Sequence, residues 1–374
     1  MVEKMLQGKK HVIAIVSASV QQCRQLKESA SQFYDVIEYR REEEAITGIR
    51  ERRPKVVLVG EQVLPDGGLV FLKLLRSQPA FSTFPIVFLV GPASPVPTLP
   101  AKGDTGFIVL REPFHRTALV KAIASLVNEN VQRGWCSLPK IQQRVLDDTL
   151  AVYNQVAALI EADQPIDYAP VESACRSVVA AINQRQFRDL LQAVKNHDDY
   201  SYSHSVRVAT LLSLFGHTVG LSEGDQLLLA SGGLLHDVGK TFIPTALLNK
   251  PGQLSVEEMD MMRGHVSATA KILKRGTKIP KGVVIIAANH HEKLDGSGYP
   301  NGLRASQLDE LARMSAIVDV FSAITDRRPY KQAMTSEQAF RLIVETMGTQ
   351  LDLHLLELFR EVLLDPIIDQ SKGR

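Results

Sequence analysis

His290-His291-Glu292-Lys293-Leu294-Asp295-Gly296-Ser297-Gly298-Tyr299-Pro300 ends the apolar run Val283 to Ala288 with two adjacent histidines and a glycine-rich turn. Gly296, Gly298 and Pro300 resist helical conformation, so the helix implied by that run stops near His291. Two imidazoles at a helix end, with a forced loop behind them, can face a cleft rather than a packed core. An isolated His-His pair is more often a surface feature. Here it has company: His236-Asp237 lies within Leu234-Leu235-His236-Asp237-Val238-Gly239-Lys240, and His204, His265 and Asp319 stand in comparable helical settings.

Around these residues the chain lacks strand-like alternation after Ala193. The apolar spacing predicts helices over Ser203–Val219, Glu223–His236, Val256–Met262, Val266–Arg275, Gly282–His290, Leu311–Thr325, Glu337–Met347 and Leu353–Leu364. Ser222, with Asp225 three residues on, is an N-cap for the second of these. An all-α domain builds metal sites from side chains on facing helices. Taken together, His204, His236, Asp237, His265, His290, His291 and Asp319 are imidazole and carboxylate donors suited to iron, manganese, zinc or nickel rather than calcium. These seven donors exceed one tetrahedral ion and suit two octahedral ions with an aspartate between them. His115, His197, His217 and His354 fall outside the set.

The chain has 374 residues, which implies two or three domains. With 45% apolar and 22% charged residues it can bury sizeable cores. A formal charge of +2 argues against a dedicated nucleic-acid surface. Cys23, Cys136 and Cys175 are scattered and odd in number, which fits a reducing compartment. No run reaches membrane-spanning length, and a cytoplasmic protein is expected.

From His11 to about Asn128 short apolar runs alternate with helical patterns. Strands are expected at His11–Val16, Val56–Val59, Ile86–Val90 and Gly106–Leu110, with a weaker one at Tyr34–Tyr39. Helices are expected at Val20–Ser31, Glu42–Arg52 and Leu69–Ser77. Such alternation implies a doubly wound parallel α/β sheet. Its order resembles a response-regulator receiver domain, a family that phosphorylates an aspartate after the third strand. The matching positions here hold Ser17-Ala18-Ser19 for the acidic pair and Glu61 or Gly60 for the phosphoacceptor. Val90 stands for the hydroxyl residue, and Glu112 for the lysine before Pro113-Phe114. The expectation is a degenerate receiver that serves docking or dimerisation. Pro139 to Ala162 carries one apolar stripe, read either as packing on its own domain or as a dimerising helix, and Val171 to Asn196 continues helically. The expected division is a receiver-like domain at 1–129, a helical linker and lead-in at 130–195, and an all-α domain at 196–374.

The second half resembles an HD-GYP domain, a branch of the HD superfamily of metal-dependent phosphohydrolases. The match runs through His204-Ser205-Val206-Arg207-Val208-Ala209, Leu235-His236-Asp237-Val238-Gly239-Lys240, Leu248-Asn249-Lys250-Pro251-Gly252 and Arg263-Gly264-His265. It continues through the His290–Pro300 stretch to Arg328-Pro329-Tyr330-Lys331. The resemblance implies hydrolysis of cyclic di-GMP to pGpG or GMP by a dinuclear centre, most readily of iron or manganese, that activates a bridging hydroxide. It implies one ion on His204, His236, Asp237 and Asp319, and another on Asp237, His265, His290 and His291. Asp237 and Lys240 would be catalytic, and Lys240, Arg328, Lys331 and Tyr299 would contact substrate. It further implies diguanylate cyclases as partners through the GYP loop. The other reading is a cyclic di-GMP sensor or adaptor. Three departures stand out: Ser322 replaces a second acidic residue, Tyr200 replaces the carboxylate of a third metal site, and Lys293-Leu294 replace the usual Arg-Trp.

Overall fold

A computed structural model describes residues 11–31, 33–95, 106–194, 197, 199–248, 250, 252–326 and 334–364. The chain forms two compact units that part after Cys136.

The first unit is built on β1 (Val12–Val16), β2 (Asp35–Tyr39), β3 (Val56–Val59), β4 (Ile86–Val90) and β5 (Phe107–Arg111). All pair in parallel, in the order β2-β1-β3-β4-β5, with Ile13 opposite Val56 and Ile86 opposite Phe107. This is the doubly wound order shared by flavodoxin-like and receiver folds. The β-branched central strands are buried on both faces, as a sheet covered by crossover helices requires. Ile13, Ile15, Leu58, Val87 and Leu89 pack against α1 (Val20–Ala30) and α4 (Arg116–Trp135). Their alternates Ala14, Val16, Val57, Val59 and Phe88 face α2 (Glu42–Arg52) and α3 (Gly68–Ser77). The long helix α4 lies beyond the elements that the sequence pattern predicts.

At the strand ends, where a receiver keeps its acidic pocket, a neutral side chain links the loops. Ser17 Oγ donates to Gln22 Oε1 at 2.6 Å, and Gln22 Nε2 donates to Glu112 Oε1 at 2.8 Å. A methyl group on Gly60 would fall 2.3 Å from that same Oε1 atom, so Gln22 fills this space.

The second unit is helical. Its helices are α5 (Lys140–Glu161), α6 (Tyr168–Asn183), α7 (Phe187–Val194), α8 (Tyr200–Thr218), α9 (Glu223–Leu235), α10 (Thr245–Leu248), α11 (Val256–Arg275), α12 (Lys281–Asn289), α13 (Glu310–Thr325), α14 (Ser336–Met347) and α15 (Leu353–Leu364). A 3-10 turn, Val238–Phe242, follows α9. The Ser222 cap is present, its hydroxyl accepting from the Asp225 amide. Two expectations need correction. The stretch from Val171 is two helices, parted at Arg185, whose φ of 58° is left-handed. Conversely, 256–262 and 266–275 belong to one helix. A side chain at Gly264 would meet nothing, so this glycine is tolerated inside α11 without breaking it.

The stripe on α5 is buried inside this unit through Val145, Leu146, Val152, Val156 and Ile160. Tyr202 on α8 meets Thr149 on α5 at 3.1 Å, and Tyr168 on α6 meets Ser231 on α9 at 3.1 Å. Phe321 and Phe340 meet Phe359 edge to face, with Phe215 beside it, which seats α13, α14 and α15 on α8. The frame around the metal-type residues is therefore a packed bundle core.

Candidate metal centre

Five elements carry the seven residues into one place. His204 lies in the first turns of α8, His236 caps α9 and Asp237 follows it. His265 sits at the middle of α11, His290 caps α12 with His291 next, and Asp319 lies on α13. Gly239 lets the turn after Asp237 press on α11: a Cβ there would stand 2.2 Å from the His265 carbonyl. All except His291 are buried; the His291 side chain, about a quarter exposed, opens to solvent.

Asp237 is central. Its Oδ2 lies 3.1 Å from His236 Nε2 and 3.8 Å from His204 Nε2, and its Oδ1 lies 3.1 Å from His265 Nε2 and 3.8 Å from His290 Nε2. Asp319 faces His204 Nε2 at 3.0 Å, His236 Nε2 at 3.7 Å and His291 Nδ1 at 3.6 Å. Donor atoms of His204, His236 and Asp319 lie within 4.8 Å of one another, as do those of His265, His290 and His291, and those of His236, Asp237 and His290.

The orientation of the rings has a local cause. The Nδ1 atoms of His236, His265 and His290 meet the carbonyls of Gly233, Met262 and Ala287, each three residues earlier, at 2.7, 2.6 and 2.9 Å. A ring that donates from Nδ1 leaves its Nε2 free as a ligand atom. These three Nε2 atoms and Asp237 Oδ1 are buried without a hydrogen-bond partner. Buried polar atoms are almost always bonded, so four orphans aimed at one spot fit a cation. Imidazole and carboxylate are also the right donors for a borderline divalent metal. The residues present fit the group.

The charges show how the cluster behaves without a cation. Burial opposes a charge on His236, yet the carboxylates of Asp237 and Asp319 override it and push the imidazole up to about 10. Burial also works against ionised Asp237, which His236 and Lys240 nevertheless hold well below the usual carboxylate range. Burial likewise opposes ionised Asp319, which the nearby imidazoles of His204, at 3.0 Å, and His236 hold well below the usual carboxylate range. Burial, reinforced by the neighbouring His291 and His236, keeps His290 neutral, and burial lowers His291 to about 4.

Lys240, three residues beyond Asp237, places Nζ 2.5 Å from Asp237 Oδ2. Tyr299 lies over His291, ring centroids 4.7 Å apart, and the Arg263 guanidinium sits 5.3 Å from the Tyr299 ring. Burial first, then Asp319 and Asp237, raise the Tyr299 hydroxyl so that it stays protonated. Arg328 and Lys331 lie outside the described residues. Ser322 is fully buried and its hydroxyl has no hydrogen-bond partner.

Three residues beyond the sequence-derived set shape this site. Glu292 is buried and accepts from the amides of Asn301 at 2.7 Å and Leu303 at 2.9 Å, which ties down the loop bearing Tyr299. Gly298 lets that loop fold back, since a Cβ there would lie 2.5 Å from Glu292 Cα. Asp326 meets His204 Nδ1 at 3.3 Å. The only sequence signal for Glu292 was its place beside His291, and Asp326 carried none.

Residues 188–355 match the family model described as an HD domain. A cyclic di-GMP phosphodiesterase of Pseudomonas aeruginosa is 38% identical over 189 residues, covering 50% of this chain and 45% of the relative. A 3'3'-cGAMP-specific phosphodiesterase of Vibrio cholerae is 37% identical over 174 residues, covering 46% and 33%. The cyclic di-GMP phosphodiesterase response regulator RpfG of Xanthomonas campestris is 26% identical over 314 residues, covering 83% and 75%. The chain thus spans less than half the length of the first two. Its His-Asp pair and helical frame agree with that HD domain match over residues 188–355.

Proposed function

We propose that the chain hydrolyses a phosphodiester bond of cyclic di-GMP at a centre of two divalent transition-metal ions. The observation that carries this reading is the convergence of four orphaned buried atoms, His236 Nε2, His265 Nε2, His290 Nε2 and Asp237 Oδ1. His204, His236, Asp237 and Asp319 would hold one ion, and Asp237, His265, His290 and His291 the other. Iron or manganese suits this donor set best, with nickel and zinc also compatible. Such ions, when bound, would acidify water and neutralise phosphoryl oxygens.

The chain's own residues supply the rest. Lys240, beside Asp237 Oδ2 and partly exposed, would offer its positive charge to a phosphate oxygen. Tyr299, stacked on His291, forms an aromatic wall beside the open edge. Arg328 and Lys331 complete the phosphate contacts in this reading. The names of the relatives favour a cyclic dinucleotide as substrate. The same reading implies a cytoplasmic protein, diguanylate cyclases as partners at the GYP loop, and self-association through the receiver-like unit or the linker helix.

The test is anaerobic purification, metal analysis and chromatography after incubation with cyclic di-GMP and, separately, 3'3'-cGAMP. The expected result is about two metal equivalents and conversion of cyclic di-GMP to pGpG, GMP or both. Turnover of 3'3'-cGAMP alone would move the substrate assignment. Binding of cyclic di-GMP by the metal-loaded chain without turnover would favour a sensor.

A further inference from the structure

His204 differs from the other inner histidines. His236, His265 and His290 each turn Nδ1 onto a carbonyl of their own helix. The Nδ1 of His204 faces Asp326 Oδ2 at 3.3 Å, across 122 residues of sequence. Asp326 is itself held in place: Arg207 Nε lies 3.2 Å from its other oxygen, and its amide donates to the Ser322 carbonyl at 2.8 Å. Arg207 is anchored in turn by donating to Thr325 Oγ1 at 2.8 Å. The Asp326 side chain is only 11% exposed, so it is a fixed carboxylate rather than a solvated end.

We propose that Asp326 is a positioning residue that holds the His204 ring with Nδ1–H outward and Nε2 toward Asp319 and Asp237. This rests on the reading that the cluster binds metal. A carboxylate behind a ligand imidazole fixes the tautomer and raises its basicity more than a carbonyl does.

The test is titration of the metal-free full chain with cobalt(II), read by equilibrium dialysis and ligand-field absorption, with thermal unfolding alongside. The wild type is expected to take two equivalents. Asp326→Ala should weaken one equivalent about 100-fold and shift its absorption bands, leaving the other unchanged; Asp326→Asn, which still accepts from Nδ1–H, should lose about tenfold at that equivalent. A merely structural role would lower thermal stability and weaken both equivalents together. If Asp326→Ala fails to fold, the one-sided loss in Asp326→Asn carries the proposal. Wild-type affinity at both equivalents, or equal loss at both, overturns it. A wild type that takes up no cobalt overturns the metal reading and the proposal with it.

Discussion

Replacing Glu292 by glutamine tests whether one buried carboxylate holds the loop that closes the centre. Its two oxygens accept separately, from the Asn301 amide at 2.7 Å and the Leu303 amide at 2.9 Å. Glutamine keeps one acceptor and sets an NH2 group against the other amide. One charge-assisted bond worth about 1.5–3 kcal/mol is lost, and a buried donor left unpaired adds about 1–3 kcal/mol. Outside Glu292 the loop is tied by the Tyr299 amide to the His291 carbonyl at 3.1 Å, the Ala305 amide to the Leu294 carbonyl at 3.0 Å and the Asp295–Arg304 bridge, all at its ends or base. The cost should therefore appear as local opening of 295–304. An opening eased by about 3 kcal/mol means amide exchange about 100-fold faster at Tyr299, Asn301 and Leu303. Amides in α8 and α9 should exchange at their original rates. Hydrogen exchange read by mass spectrometry or NMR measures this. Unchanged loop exchange, or equal acceleration throughout the bundle, would refute the reasoning.

Other outcomes follow from the same geometry. Asp237→Ala, which removes the carboxylate shared by both halves of the cluster, should abolish hydrolysis and reduce bound metal at both positions; elemental analysis showing two retained equivalents would contradict this. In the metal-free chain His236 sits at about 10 and is protonated at neutral pH, so that proton must leave before Nε2 can bind a cation. Metal affinity should therefore rise with pH, by about tenfold per unit below that value, with at least one proton released on loading. Calorimetry in buffers of different ionisation heat reads the release, and pH-independent affinity between pH 6 and 8 would refute it. The receiver-like unit, with Ser17, Gln22 and Glu112 linked across its strand ends, should gain no phosphoryl mass from acetyl phosphate; a stoichiometric acyl phosphate would overturn that assignment.

What the sequence alone determined was periodic and local. Runs such as Val56–Val59 and Ile86–Val90, buried on both faces, announce a parallel sheet because only strands covered by crossover helices are apolar throughout. α12 ends at Asn289, close to the stop near His291 expected from the glycine- and proline-rich stretch behind it. The metal-type residues were legible because His236-Asp237 and His290-His291 put unusual donors at helix ends. The tertiary structure decided what depends on long-range packing. The apolar spacing separates 256–262 from 266–275, yet α11 runs through Gly264 between them, because the Ser255 capping box and the burial of His265, Val266, Thr269 and Leu273 outweigh a glycine cost of about 1 kcal/mol. Burial of Glu292 depends on two amides that reach it only after the loop folds back. The pairing of His204 with Asp326 exists only because α8 and α13 lie side by side, bringing together residues that no sequence window holds.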